Sequence, residues 1–335
     1  MNYLFFNITM QVIIANNLVF DVCESIKIEK SVEVLTNTAK ITLPREFKNG
    51  EDSNGNPLDF SYKSILDFMK RGDSIQISLG YDGNNQTEFQ GYITKIGADT
   101  PLVLECEDEM YQLKKAPRIT KYIKSGSLIE ILKAVIPSKY NIELNEDYNY
   151  GSWHIDNATP YEVLEELKER TGLRAYFITP DTLSVGMKVD FKPRDVHQFN
   201  FSENVRRDTD LSFERKDDKL LEVTVKSRQK NGEELSETVG EKGGNTVNMS
   251  MVPNMTKADL KKWAEQIYKS RSIDGFEGSL NSWCEPRTQP GDSAEIYRPI
   301  YEDGHQNGRY FIEAVTIDLN GDSGIRRTNK LSYKL

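Results

Sequence analysis

The chain has 335 residues, a formal net charge of −9, 37% hydrophobic and 28% charged residues, and a mean hydropathy of −0.60. That length accommodates about two to three ordinary domains, and the acidic balance disfavours a nucleic-acid groove or an anionic membrane surface, since both need a basic face. The three cysteines, Cys23, Cys106 and Cys284, are far apart and odd in number, which fits buried free thiols rather than a disulfide framework or a Cys-x-x-Cys site.

The first twenty residues are apolar but carry no Lys or Arg and no clear small-residue cleavage site. They make a poor secretory signal and, interrupted by Asn and Gln, are too short to span a membrane. They read as a buried first strand, with Met10 as an alternative start. Phe20, Val22, Ile26 and Ile28 fall at even positions of an extended run. Thr36-Asn37-Thr38 marks a turn, and Ala39, Ile41 and Leu43 alternate up to Pro44, which ends the strand. Residues 45–61 read as a polar loop. Roughly six short strands are expected before Glu107, a spacing that suggests a small antiparallel barrel or sandwich.

From about Ile119 the spacing becomes helical. Ser127 and Glu130 form a capping-box pattern ahead of Leu128, Ile131, Leu132 and Val135. Thr159 reads as an N-cap with Pro160 at N1, Glu162 at N3 and Gly172 at C′. Strand-like pieces lie at Asn141–Leu144, Trp153–Ile155, Arg174–Ile178 and Thr182–Val185. Alternation returns at Phe199–Phe213 and Leu220–Lys226, and Arg228–Asn248 reads as an exposed hairpin or loop. A third helix starts at Thr256, with Met255 and Leu260 as a hydrophobic staple.

One stretch occurs twice. Gly72–Ile96 begins Gly-Asp-Ser, alternates through Ile75, Ile77 and Leu79, turns at Tyr81-Asp82-Gly83 and re-enters a strand at Phe89. Gly291–Ile317 does the same through Ala294, Ile296, Tyr301 and Gly304, re-entering at Phe311. Such a duplication implies two related β domains. The expected fold is β-rich α+β, with two related antiparallel β-barrels separated by a small α+β module. The expected domains are 1–118 (first barrel), 119–190 (middle module), 191–228 with 276–335 (second barrel), and 229–275 (an insertion bearing a loop and a helix).

Candidate chemistry is sparse. His154, His197 and His305 sit in three separate segments, outside any metal-ligand pattern. Glu162, Glu165, Glu166 and Glu169 suit a solvated helix face better than a catalytic pair. Asp52, Asn54 and Asn56 imitate the start of a calcium loop, but Pro57 and Lys63 occupy the places of its glycine and bidentate glutamate. Arg71-Gly72-Asp73 spells an adhesion tripeptide. Its Gly-Asp recurs at Gly291-Asp292 without the arginine, so a turn explains it better. No phosphate loop or nucleophile motif is present. The expectation is therefore a non-enzyme with no catalytic residue, cofactor or metal. Tyr81–Thr87 and Arg228–Asn248 are candidate partner-contact loops.

Four stretches carry a resemblance: Ser31–Pro44, Gly72–Ile96 with Gly80-Tyr81 and Phe89-x-Gly91-x-Ile93, Asn157–Gly186, and Pro290–Leu335. In this order they resemble the phage late control D family of tail baseplate hub proteins. They are also similar to the N-terminal hub half of type VI secretion spike proteins. The resemblance implies a structural homotrimer whose six barrels adapt a six-fold tail tube to a three-fold central spike. It implies a separate spike protein and the tube protein as partners, with tape-measure and baseplate wedge proteins as further neighbours. It also implies a location in a phage or injection-machine baseplate assembled in the bacterial cytoplasm. On the residues alone two other readings stay open: a tail-associated peptidoglycan or glycan hydrolase, and a carbohydrate-binding β-protein.

Overall fold

The computed structural model describes residues 7–15, 18–43, 49–51, 57–59, 68–97, 99, 101–124, 126–147, 149–150, 152–187, 192–215, 220–251, 253–272, 274–300 and 304–335. The first part of the chain supplies β1 (Ile8–Ile14), β2 (Leu18–Phe20), β3 (Ser25–Ser31), β4 (Thr38–Leu43), β5 (Asn49–Glu51) and β6 (Pro57–Asp59). β7 (Ser74–Tyr81), β8 (Asn84–Ile96), β9 (Leu102–Glu107) and α1 (Met110–Lys115) follow. The middle carries β10 (Ile119–Ile123), β11 (Gly126–Ser127), α2 (Leu128–Val135), β12 (Asn141–Leu144) and β13 (Asn149–Tyr150). It continues with β14 (Trp153–Ala158), α3 (Pro160–Thr171), β15 (Arg174–Thr179) and β16 (Thr182–Gly186). Then come β17 (Val196–Asn200), β18 (Asp210–Glu214), β19 (Leu221–Arg228), β20 (Glu234–Gly240), β21 (Asn245–Ser250) and α4 (Lys257–Arg271). The chain ends with β22 (Gly275–Ser282), β23 (Ser293–Tyr297), β24 (Gly308–Asn320) and β25 (Gly324–Lys334).

Among the described residues the protein is β-rich with four helices, and its strand pairs are mostly antiparallel. Both β parts lie in one 15-stranded sheet. In the first part the hydrogen-bonded order is β3-β4-β9-β8-β7-β1. In the last part it is β18-β22-β25-β24-β23-β17. The two series place their hairpins alike, β7-β8 beside β9 and β23-β24 beside β25. They differ at one end: β1 runs antiparallel to β7, whereas β17 runs parallel to β23. The long strand β24 joins them. Gly308–Phe311 pairs with β23, and Ala314–Asn320 pairs with β3. The two parts are thus hydrogen-bonded edge to edge in space, although the middle module separates them in sequence. A single apolar cluster, from Val12, Ile41 and Leu104 to Ile296, Val315 and Leu331, runs through both.

A second cluster gathers Leu35, Met110 and Leu113 with the apolar faces of α2, α3, β15 and β16. Trp263, Ala264 and Ile267 of α4 join it, as do Leu221, Val223 and Val225 of β19. So β19, which the sequence pattern groups with the last β part, forms a separate sheet with β20 and β21 and packs on the middle module's core. Arg228–Asn248 is accordingly mostly strand, and β20 and β21 flank β19 on opposite sides. Helix starts follow the sequence. Ser127 and Thr159 complete capping boxes, and Thr256 accepts from the Asp259 amide.

Several expectations shift. Val22 is 62% exposed because the chain turns between β2 and β3. The expected continuous strand Phe199–Phe213 is two strands, β17 and β18, with turns between them. The polar loop contains the short β5-β6 pair, and α1 carried no cap signal strong enough to predict it. Asp52, Asn54, Asn56 and Lys63 of the calcium-like pattern lie outside the described residues, while Pro57 opens β6. So do residues 1–6 and most of the apolar segment Ile65–Met69; Met69 is buried.

Candidate functional site

The two Gly-Asp-Ser turns are the same structure made twice. The Gly72 amide donates to the Ile93 carbonyl, and the Ile93 amide donates to the Asp73 carbonyl, at 2.8 and 2.9 Å. Gly291, Asp292 and Ile312 repeat both bonds at 2.9 Å. In each copy the aspartate carboxylate also accepts from an amide three residues earlier, Lys70 or Gln289, at 2.8 Å. Both glycines sit at φ +94°, which an L side chain rarely adopts. These bonds equate Ile93 with Ile312 and Tyr92 with Phe311. Aligning the two sequence copies on Phe89 and Phe311 is therefore out of step. Asp73 is engaged in this turn, which accounts for the Arg-Gly-Asp tripeptide without an adhesion role.

The copies diverge where they meet. In β7-β8 the register passes from Ile77 opposite Phe89 to Ser78 opposite Thr87, leaving Glu88 as the extra residue of a bulge. A bulge re-aims the side chain it carries, and here Glu88 and Phe89 are both buried. Glu88 Oε1 accepts from Arg327 Nη2 at 2.6 Å and from Arg287 Nη1 at 3.0 Å. Lys30 Nζ lies 3.9 Å from Glu88 Oε2 and donates to Gln289 Oε1 at 2.7 Å. Arg327 is wholly buried. It also donates from Nε to the Cys284 carbonyl and from Nη1 to the Thr288 carbonyl. Arg287 Nη2 reaches the Leu79 carbonyl at 3.0 Å. One carboxylate of the first β part thus collects two guanidinium groups of the last. With Lys30 added, three cations face this carboxylate. The guanidinium–carbonyl bonds replace part of the solvation that burial removes from the arginines.

Beside this junction is a cavity of about 320 Å³ lined by Lys30, Glu88, Asp108, Tyr176, Arg194 and Gln289, among others. It lies where β3, β8 and the β15–β16 turn approach the loop before β23. Burial pulls the Lys30 ammonium down to about 8; the Glu88 carboxylate opposes that shift and the Arg327 guanidinium reinforces it. Burial pushes the Asp108 carboxyl up to about 7, against the pull of the Asn37 and Met110 amides that donate to it. A raised acid favours folding while protonated: that stability is present below pH 4 and is lost as pH rises to about 7. Asp108→Asn removes the titration. The stability of the wild type relative to this variant is expected to fall by roughly 2–4 kcal/mol between pH 4 and pH 8. Urea unfolding at several pH values checks it, and a flat difference would refute the assignment.

The other candidate residues are placed structurally. His154 faces Tyr122 across β10-β14, and His305 meets the Phe213 ring edge-on. His197 Nε2 lies 2.9 Å from Asp292 Oδ2, a pairing the sequence did not reveal. Glu162 closes the α3 capping box and pairs with Arg118, and Glu166 pairs with Arg170. Glu165 and Glu169 are exposed. Among the described residues no cluster of His, Cys, Asp or Glu could hold a metal ion. No helix among them is long and apolar enough to cross a membrane. Burial raises all three thiols, most strongly Cys106, to about 12. Tyr81–Thr87 is a tight turn at Asp82-Gly83 running straight into β8.

Neither a family model nor a curated protein matches the sequence. Solved structures do match, over nearly the whole chain. A tail protein from Neisseria meningitidis aligns with TM-score 0.65 at 15% identity, covering 97% of this chain and 96% of its own. The 43 kDa tail protein of prophage MuSo2 from Shewanella oneidensis gives 0.63 at 14%, with 98% of each chain covered. The chain has the fold of these tail proteins. An E. coli component of the type VI secretion system, described as similar to T4 bacteriophage tail proteins gp27 and gp5, gives 0.58 at 9%. It is covered over 77% of its length, against 98% of this chain. The resemblance to tail hub and secretion-spike proteins therefore agrees with the fold.

Proposed function

We propose that the protein is a structural baseplate hub of a phage or phage-like injection tail, and not an enzyme. The observation that carries this reading is the end-to-end match to tail proteins, which includes both β parts and the middle module. The duplicated Gly-Asp-Ser turns support it, because each chain then brings two related barrel-like units. Three chains form a homotrimer with six such units. The ring adapts a six-fold tail tube to a three-fold spike carried by a separate protein. Tape-measure and wedge proteins are its further neighbours in the baseplate, which assembles in the bacterial cytoplasm. The buried Glu88 junction fits this role, since a ring under load needs its paired units fixed rigidly to each other.

The test is mass in solution. Light scattering across a wide concentration range is expected to give three times the 38.4 kDa chain mass for the protein alone, and a larger complex holding three copies of the chain when the tube and spike proteins are added. A monomer under every one of these conditions would overturn the reading.

A further inference from the structure

We propose that Lys30 is a reactive amine, placed to form an imine with a small aldehyde that carries an anionic group and enters the cavity beside it. The argument starts from geometry. Lys30 sits on β3 with its side chain 11% exposed, and it lines the 320 Å³ cavity. Thr87, Gln90, Thr179 and Pro180 line the same cavity and are exposed, so it has a mouth. Its volume lies in the range of small-molecule sites. The ammonium makes one hydrogen bond, to Gln289 Oε1. Glu88 Oε2 is 3.9 Å away and has no hydrogen-bond partner among the described residues, so its negative charge faces the amine.

The surrounding charges act in opposite directions, and burial decides the balance. Arg327 repels the ammonium, while Glu88 and Asp292 attract it. Burial outweighs both attractions, and the group falls to about 8. At pH 7.5 the neutral, nucleophilic fraction is then on the order of 100-fold that of an ordinary lysine. Desolvation beside another cation is a recognised way to activate a lysine. Arg194 supplies the anion preference. It lines the cavity and uses one Nη2 bond on the Tyr176 hydroxyl, leaving its other side-chain donors for a ligand.

The step balances without an oxidant or co-reactant. The neutral Lys30 amine attacks the carbonyl carbon and a proton passes from nitrogen to oxygen through solvent, forming a carbinolamine. The proton that the ammonium had released to solvent returns to that oxygen as the carbon–oxygen bond breaks. The products are a protonated imine and one water, so charge is conserved.

Pyridoxal 5′-phosphate is a suitable probe. The full chain is incubated with it at pH 7.5, reduced with borohydride, digested and mapped by mass spectrometry. The Lys30 peptide is expected to label at least ~10-fold faster than any exposed lysine, a fraction of the gain in neutral amine. Labelling confined to exposed lysines such as Lys121 or Lys257 would overturn the proposal. Because the readout is the wild-type chain, it does not depend on a variant that folds. Arg194→Ala is expected to slow Lys30 labelling by the phosphate-bearing probe and to leave labelling by acetaldehyde with cyanoborohydride unchanged. Equal rates with the phosphate probe would overturn the anionic preference.

Discussion

Glu88→Ala is expected to destabilise the fold by about 3–5 kcal/mol, the cost of leaving a buried charge without its partner. The charge left behind is Arg327, which is wholly buried and 2.6 Å from the carboxylate. Arg287 loses the same oxygen at 3.0 Å but is less buried and retains Glu285, so it contributes less. Glu88→Gln keeps the shape and one acceptor, and is expected to cost less than the alanine. Arg327→Met should also cost less than Glu88→Ala, because Glu88 keeps Arg287 and Lys30. The double variant Glu88→Leu with Arg327→Met removes both charges, and should recover part of the loss, since apolar replacement of a buried pair is often close to neutral. Urea unfolding of the four variants measures this. A loss below about 1 kcal/mol for Glu88→Ala would place the junction among ordinary surface pairs.

Gly91→Ala is the second large effect expected. A β-carbon built there would lie 2.1 Å from the Glu107 carbonyl oxygen and 2.8 Å from its carbon. Both are backbone atoms of β9, which is held against β8 by the pairing of Tyr92 with Glu107. No side-chain rotation relieves such a contact, so the two strands must separate. The expected cost exceeds about 3 kcal/mol, beyond the usual range for overpacking. Gly83 is the internal comparison. It lies in the same hairpin at φ +83°, and nothing comes within 4 Å of an added β-carbon. Gly83→Ala is strained only through its backbone and should cost about 1–2 kcal/mol. Thermal unfolding of the two variants separates steric exclusion from backbone preference. Equal losses would show that β9 can move away from β8.

Two other glycines show which parts of the fold are legible in the sequence. Gly72 and Gly291 are readable because a turn with left-handed backbone selects glycine and is followed by alternation. The helix starts at Ser127, Thr159 and Thr256 are readable because capping acts within four residues. Glu88 is not readable. It lies in a strand beside Thr87 and Phe89, and only the bulge turns it inward. Arg327 and Asn329 left a signal that can be recovered. Ile325, Arg327, Asn329, Leu331 and Tyr333 alternate on one buried face of β25, so a polar pair sits inside an apolar stripe. The cavity beside Lys30 is built from segments as far apart as residues 30, 88, 176 and 289, and no local pattern links them.

The sequence by itself determined the β-rich class, three of the four helices among the described residues with their caps, and the duplication of a Gly-Asp-Ser hairpin. Each rests on interactions between residues close in the chain. The tertiary structure alone decided that the two β parts are joined through β24 and β3. It also decided that β19 and α4 pack on the middle module, and that Glu88 is the anion between Arg287, Arg327 and Lys30. Those features depend on strand register and on which edges meet. A single bulge or edge pairing reverses the face a residue presents without changing the local pattern from which it would be read.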